Sequence, residues 1–154
     1  MLNPIPINLV VEDALSEAVL YKILRSSQKS FAIGTSYGKS GYGYIKRSIR
    51  GFNNAARGTP FLVLSDLEEE CAPQQINTWL TIPKNHNLLF RIVVKEVEAW
   101  LLADRTGFAS FLNINRELIP SDVDSIPDPK HCLIDLVKRS RKRSLREAIV
   151  PVPG

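Results

Sequence analysis

The chain is poor in the residues that build disulfide frameworks and zinc sites. It has two cysteines and two histidines in 154 residues. Cys71 and Cys132 lie far apart without CxxC spacing, so neither a zinc site nor a disulfide framework is indicated. His86 and His131 stand alone and read as surface or internally satisfied histidines. No apolar run approaches the roughly 20 residues of a membrane span. The N-terminus lacks the basic start and apolar core of a signal peptide. Together these absences lead us to expect a reduced cytoplasmic setting. Internal repeats are absent too. The length suits a single domain, 1–154, with its core over about 3–112 and a helical C-terminal segment over about 113–154.

What the sequence does have is three apolar runs that each end in carboxylates. Phe61-Leu62-Val63-Leu64 leads through Ser65 into Asp66, Glu68, Glu69 and Glu70. Ile7-Asn8-Leu9-Val10-Val11 runs into Glu12-Asp13, and Leu88 to Val94 runs into Lys95, Glu96 and Glu98. A short apolar run without polar alternation marks a strand covered on both faces, as in a parallel sheet. Ligand sites of open α/β sheets collect just past the carboxyl ends of such strands. The fold expected is therefore α/β: a mainly parallel sheet flanked by helices, with strands near 5–11, 31–34, 61–66 and 88–94. Glu12, Asp66 and Glu98 are expected to converge at one edge.

Between the strands the pattern is helical. Apolar residues from Ala14 to Leu24 predict a helix over roughly 13–28, with Asp13 as N-cap. Gly34 to Gly43 reads as a glycine-rich loop. Its Gly38-Lys39-Ser40 invites a phosphate-loop reading, which fails because Gly34 leaves three residues before Gly-Lys where the motif needs four. No clean helix start is evident after Ser40. Further helices are expected over 44–57, 73–80, about 96–104, 105–112 and 128–148. Trp100 reads as a core anchor. Net charge is only +4, but base concentrates in Lys138 to Arg146. Arg139, Arg141, Lys142 and Arg143 are candidates to contact a nucleic-acid backbone, against the alternative of a solvated helix face.

Glu12 after the first strand, with Asp66-Leu67-Glu68 after a later central one, resembles the Toprim domain of topoisomerases, primases and OLD-family nucleases. The segment Glu96-Val97-Glu98-Ala99-Trp100-Leu101-Leu102-Ala103-Asp104 resembles a narrower, uncharacterised bacterial Toprim-related family often encoded beside an ATPase gene, and Asp128-Pro129-Lys130 resembles a later motif of it. Two departures stand out. Toprim domains place Asp-x-Asp where this chain has Asp66-Leu67-Glu68, and Glu-Gly where it has Glu12-Asp13. Glu17 lies five residues beyond Glu12, about 500° around a helix and off its face, which makes it a poor ligand candidate. Members of that family run longer, so the resemblance implies a chain that continues past Gly154.

The resemblance implies a metal-dependent nuclease or phosphodiester-transfer domain acting with a separate ATPase subunit in a bacterial defence-type system. Mg2+ or Mn2+ would be held by Glu12, Asp66, Glu68, Glu96 and Glu98. Hard cations of this kind bind through carboxylates, waters and phosphate oxygens, and stabilise both attacking and leaving oxygens. Glu12 would serve as general acid or base, and Lys130 (or Lys95) would neutralise developing phosphate charge. Two other readings fit the same residues. One is a catalytically inert Toprim-like module for binding protein or nucleic acid; the other is a small nucleotide phosphatase. Glu69 and Glu70 are expected to be solvated, and Glu96 and Glu98 also fit a first-turn helix role.

Overall fold

The computed structural model of the protein describes residues 3–152. Two compact units follow one another along the chain, one ending at Val93 and the other beginning at Val94. The first holds β1 (Ile5–Val11), α1 (Ala14–Ser26), β2 (Phe31–Gly38), α2 (Tyr42–Ala55), β3 (Phe61–Asp66), α3 (Ala72–Trp79) and β4 (Leu88–Val93). Its four strands form one sheet in the order β2-β1-β3-β4, with every neighbouring pair parallel. This is the α/β, Rossmann-like arrangement expected of apolar runs separated by helical patterns.

The strand order positions the site. From β1 the chain crosses through α1 to β2 on one side, then through α2 to β3 on the other side of β1. The direction of winding therefore reverses between β1 and β3. In sheets of this order, 2-1-3-4, ligands sit outside the carboxyl ends of the strands at that reversal. Helix α1 packs on β1 and β2. On the opposite face α2 and α3 bury Ile45, Ile49, Phe52 and Trp79 against Val10, Phe61, Val63 and Phe90. Leu9, Val10 and Val11 of β1 have no exposed surface, as an interior strand covered on both faces requires.

Two expectations change in this unit. The second strand does not stop near 34: it continues through Gly34-Thr35-Ser36-Tyr37 to Gly38. The register shifts between Ile7 and Leu9, so β2 carries one extra residue, and the Asn8 side-chain oxygen accepts the Thr35 amide at 2.9 Å. A bulge of this kind lets glycine-rich sequence stay in a sheet. And a helix does begin soon after Ser40, because Gly41 with φ 74° turns the chain directly into α2.

The second unit is helical: α4 (Val97–Ala103), α5 (Arg105–Leu112), a 3₁₀ turn over Arg116–Leu118, α6 (Pro129–Lys138) and α7 (Arg143–Ile149). Leu102, Leu112, Ile119, Leu133, Leu136 and Val137 make its core. Asp104 and Asp128 cap α5 and α6 by accepting the Gly107 and His131 amides. The helix expected over 128–148 is broken at 139–142. There Ser140 turns inward to donate its hydroxyl to the Leu112 carbonyl and to accept the Lys142 amide. Trp100 is not a core anchor. It is 40% exposed, because Val97, Ala99 and Leu102 take the buried side of α4.

Candidate functional site

β1 and β3 are neighbours, paired as far as Val10 opposite Val63. Two residues beyond that pair, Glu12 meets the end of β3. Its Oε1 accepts the hydroxyl of Ser65 and, at 2.9 Å, the backbone amide of Asp66. Ser65 is buried and Glu12 is only 9% exposed. Burial pushes the Glu12 carboxyl above its usual range; the two hydrogen bonds oppose this, and the nearby charges of Glu68 and Asp13 reinforce it. Asp13 itself is spent on helix α1, where it accepts the Ser16 amide at 2.7 Å.

The loop after β3 is held from below by a residue that sequence reading passed over. Gln75, with no exposed surface, donates its side-chain amide to the Asp66 carbonyl at 2.9 Å. Its Oε1 accepts the amides of Glu68 at 2.7 Å and Glu69 at 3.3 Å. One side chain thus fixes the backbone of the whole Asp66-Leu67-Glu68 segment. A polar residue in the first turn of the helix expected over 73–80 is the only signal in the sequence, and it does not distinguish Gln75 from its neighbour Gln74. Glu69 is not simply solvated either: it accepts the Trp79 indole N–H at 3.3 Å and pairs with Lys46 at 3.7 Å.

The third wall of this edge is the β2–α2 loop. Lys39 and Gly41 donate backbone amides to the carbonyls of Val11 and Glu12, both at 3.0 Å. Gly38 is required there. Its φ is 99°, and a Cβ would stand 2.1 Å from the Val11 oxygen. Glu17 faces this loop, not a ligand. Lys39 binds it at 2.8 Å, and that contact holds its carboxyl below the usual range.

The remaining predicted residues lie in the second unit. Glu96, the residue preceding α4, accepts the backbone amide of Lys130 at 3.1 Å and so caps α6. Glu98 is half-buried in the first turn of α4. Lys95 donates to the Ile126 carbonyl at 3.1 Å. Of the basic run, Lys142 donates to the Phe111 carbonyl at 2.6 Å and Arg143 to Glu147 at 2.6 Å, while Arg139 and Arg141 are exposed. A cavity of about 610 Å³ in this unit is lined by Asp128, His131, Cys132 and Asp135 among others. Its polar groups serve the helix: Asp128 caps it, and Asp135 bridges His131 and Lys138. Burial raises the Cys132 thiol, so no thiolate nucleophile is offered.

The structure thus brings Glu12, Asp66 and Glu68 to one sheet edge. Among the described residues no group of three His, Cys, Asp or Glu side chains is gathered to hold an ion by itself. A magnesium-type ion does not require one, since it binds through one or two carboxylates and otherwise through water and phosphate oxygens. The donor set is all carboxylate, which suits a hard cation, and the charges of Glu12 and Glu68 repel across the site in a way a cation would relieve. No family model matches the chain, and neither a curated protein nor a solved structure does. Among the described residues no helix is long and apolar enough to cross a membrane.

Proposed function

We propose that the carboxyl edge of the β1–β3 pair is a divalent-cation site for phosphodiester hydrolysis or transfer on nucleic acid, in a Toprim-like domain. The observation that supports this reading is the Asp66 amide donated to the Glu12 carboxylate, which joins two acidic strand ends at the point where the sheet reverses. One or two of the carboxylates of Glu12, Asp66 and Glu68, together with water and phosphate oxygens, would hold Mg2+ or Mn2+. When bound, such an ion offsets negative charge on the phosphate oxygens.

The chain's own part is positioning and proton handling. Burial raises the Glu12 carboxyl above its ordinary range, the direction that favours a general acid or base, and the Ser65 hydroxyl orients it. Gln75 keeps Asp66 and Glu68 presented on a rigid loop. The resemblance of the segment 96–104 adds a separate ATPase subunit and a bacterial defence setting to the proposal, and the Lys130 role with it.

The test is cleavage of a labelled oligonucleotide by the full chain, with its ATPase partner once identified, in Mn2+ and in chelator. Glu12→Gln is expected to lose cleavage, with a smaller loss of Mn2+ affinity than Asp66→Asn. Cleavage that persists in chelator, or that survives both Glu12→Gln and Asp66→Asn, would refute the proposal.

A further inference from the structure

From Ala18 to Ser65 every charged side chain is a lysine or arginine, eight in all, with no carboxylate in 48 residues. Helix α2 concentrates them. Lys46, Arg50, Asn54 and Arg57 recur at i, i+4, i+8 and i+11, and with Arg47 they fall within an arc of about 100° at about 100° per residue. All five are exposed, while Ile45, Ile49, Phe52 and Asn53 take the buried side. Arg57 follows Ala56, which still has right-handed helical geometry (φ −62°, ψ −11°), so the stripe continues past the last turn. Among the described residues Arg47, Arg50 and Arg57 make no ion pair. This contrasts with Arg143 and Lys142 of the C-terminal basic run, which are engaged locally.

The stripe begins at the candidate site. Lys46 pairs with Glu69, on the loop that carries Asp66 and Glu68, and the loop leading into α2 is bonded to the carbonyls of Val11 and Glu12. From Lys46 the cations run away from that edge for about 16 Å, the rise of roughly five nucleotides at about 3.4 Å each. We infer that the exposed face of α2 is a track for the phosphate backbone of a nucleic-acid strand, leading it to the carboxylates at the ends of β1 and β3. This rests on the phosphodiester reading of that edge and adds to it an extended polymer substrate, since a mononucleotide would leave Arg50 and Arg57 without a phosphate. A membrane surface fits less well. The apolar side of α2 is buried in the core, so the helix has nothing to insert among lipid tails.

The experiment is fluorescence anisotropy of a labelled 20-nucleotide single strand with the full chain in chelator, across a salt series, for wild type, Arg47→Gln/Arg50→Gln/Arg57→Gln, and Asp66→Asn. Circular dichroism melts check that the exposed substitutions leave the fold intact. Three lost phosphate contacts should lower the slope of log K against log salt by about 2 and weaken binding about 100-fold at 0.1 M salt. Asp66→Asn should bind at least as tightly as wild type. Unchanged affinity and slope in the triple variant overturn the inference. So does a wild type that binds anionic phosphatidylserine vesicles but not the oligonucleotide. With a calorimetric Mn2+ titration of wild type and Asp66→Asn run beside it, the two claims fail separately: loss of strand binding in the triple variant with unchanged Mn2+ affinity in Asp66→Asn keeps the track and discards the cation site, and the reverse pattern does the opposite.

Discussion

Glu12 occupies a position that costs stability whenever it is ionised. Burial raises its carboxyl above 4.5, the value expected for the unfolded chain. Below that value both states are protonated and there is no penalty. As pH rises through the folded-state value the buried group must ionise, and stability is lost. Glu12→Gln removes this dependence. Its melting temperature should therefore exceed that of wild type at pH 7–8 in chelator, and the gap should close near pH 4; a constant gap across pH would contradict the assignment. Gln75 makes the opposite case, a polar residue that stabilises because every end of it is matched. Gln75→Leu leaves the Asp66 carbonyl and the amides of Glu68 and Glu69, all only partly buried, without their partner, at no more than about 1–3 kcal/mol for each. A lower urea midpoint is expected, together with weaker Mn2+ binding, since the loop carrying Asp66 and Glu68 loses its support. An unchanged midpoint would mean water replaces the side chain. Glu12 was legible as a site residue because its carboxylate follows an apolar run, whereas Gln75 acts through backbone groups six to nine residues away.

At the scale of elements, local pattern decided most of the outcome. β3 and β4 fall almost where continuous apolar runs place them, and Asp13 caps α1 as its position before the helical period implies. The misplaced boundaries have a common cause, a tertiary contact that overrides local preference. β2 keeps glycine and serine in register because β1 supplies partners for them, including the Asn8 side chain. The C-terminal helix breaks because Ser140 finds the carbonyl of Leu112, 28 residues back. Two glycines expose the same distinction. Gly38→Ala forces a Cβ towards the Val11 carbonyl at positive φ and should destabilise by at least about 1–3 kcal/mol. Gly51→Ala, in the interior of α2 with nothing within 4 Å of the added carbon, should stabilise by roughly 0.5–1 kcal/mol. Thermal melts of the two variants should move in opposite directions, and parallel shifts would show that the loop over β1 is not held as described.

For the molecule as a whole, the parallel sheet and the meeting of Glu12 with Asp66 were legible because a βαβ order with acids at strand ends leaves few arrangements. The basic track on α2 was not, because its cations are interleaved with the apolar period that marked the segment as helix. The central claim is that the edge formed by Glu12, Asp66 and Glu68 binds a divalent cation. It is tested most directly by calorimetric titration of Mn2+ into wild type and Asp66→Asn. A cation held among clustered carboxylates loses a full charge partner in the variant, while the strand loses only one charged group at its end. The affinity of Asp66→Asn should fall roughly tenfold or more, a difference of about 1.4 kcal/mol, with its melting temperature in chelator equal to or above that of wild type. Equal Mn2+ affinity in the two proteins would contradict the account and leave the sheet edge as a binding surface without a metal.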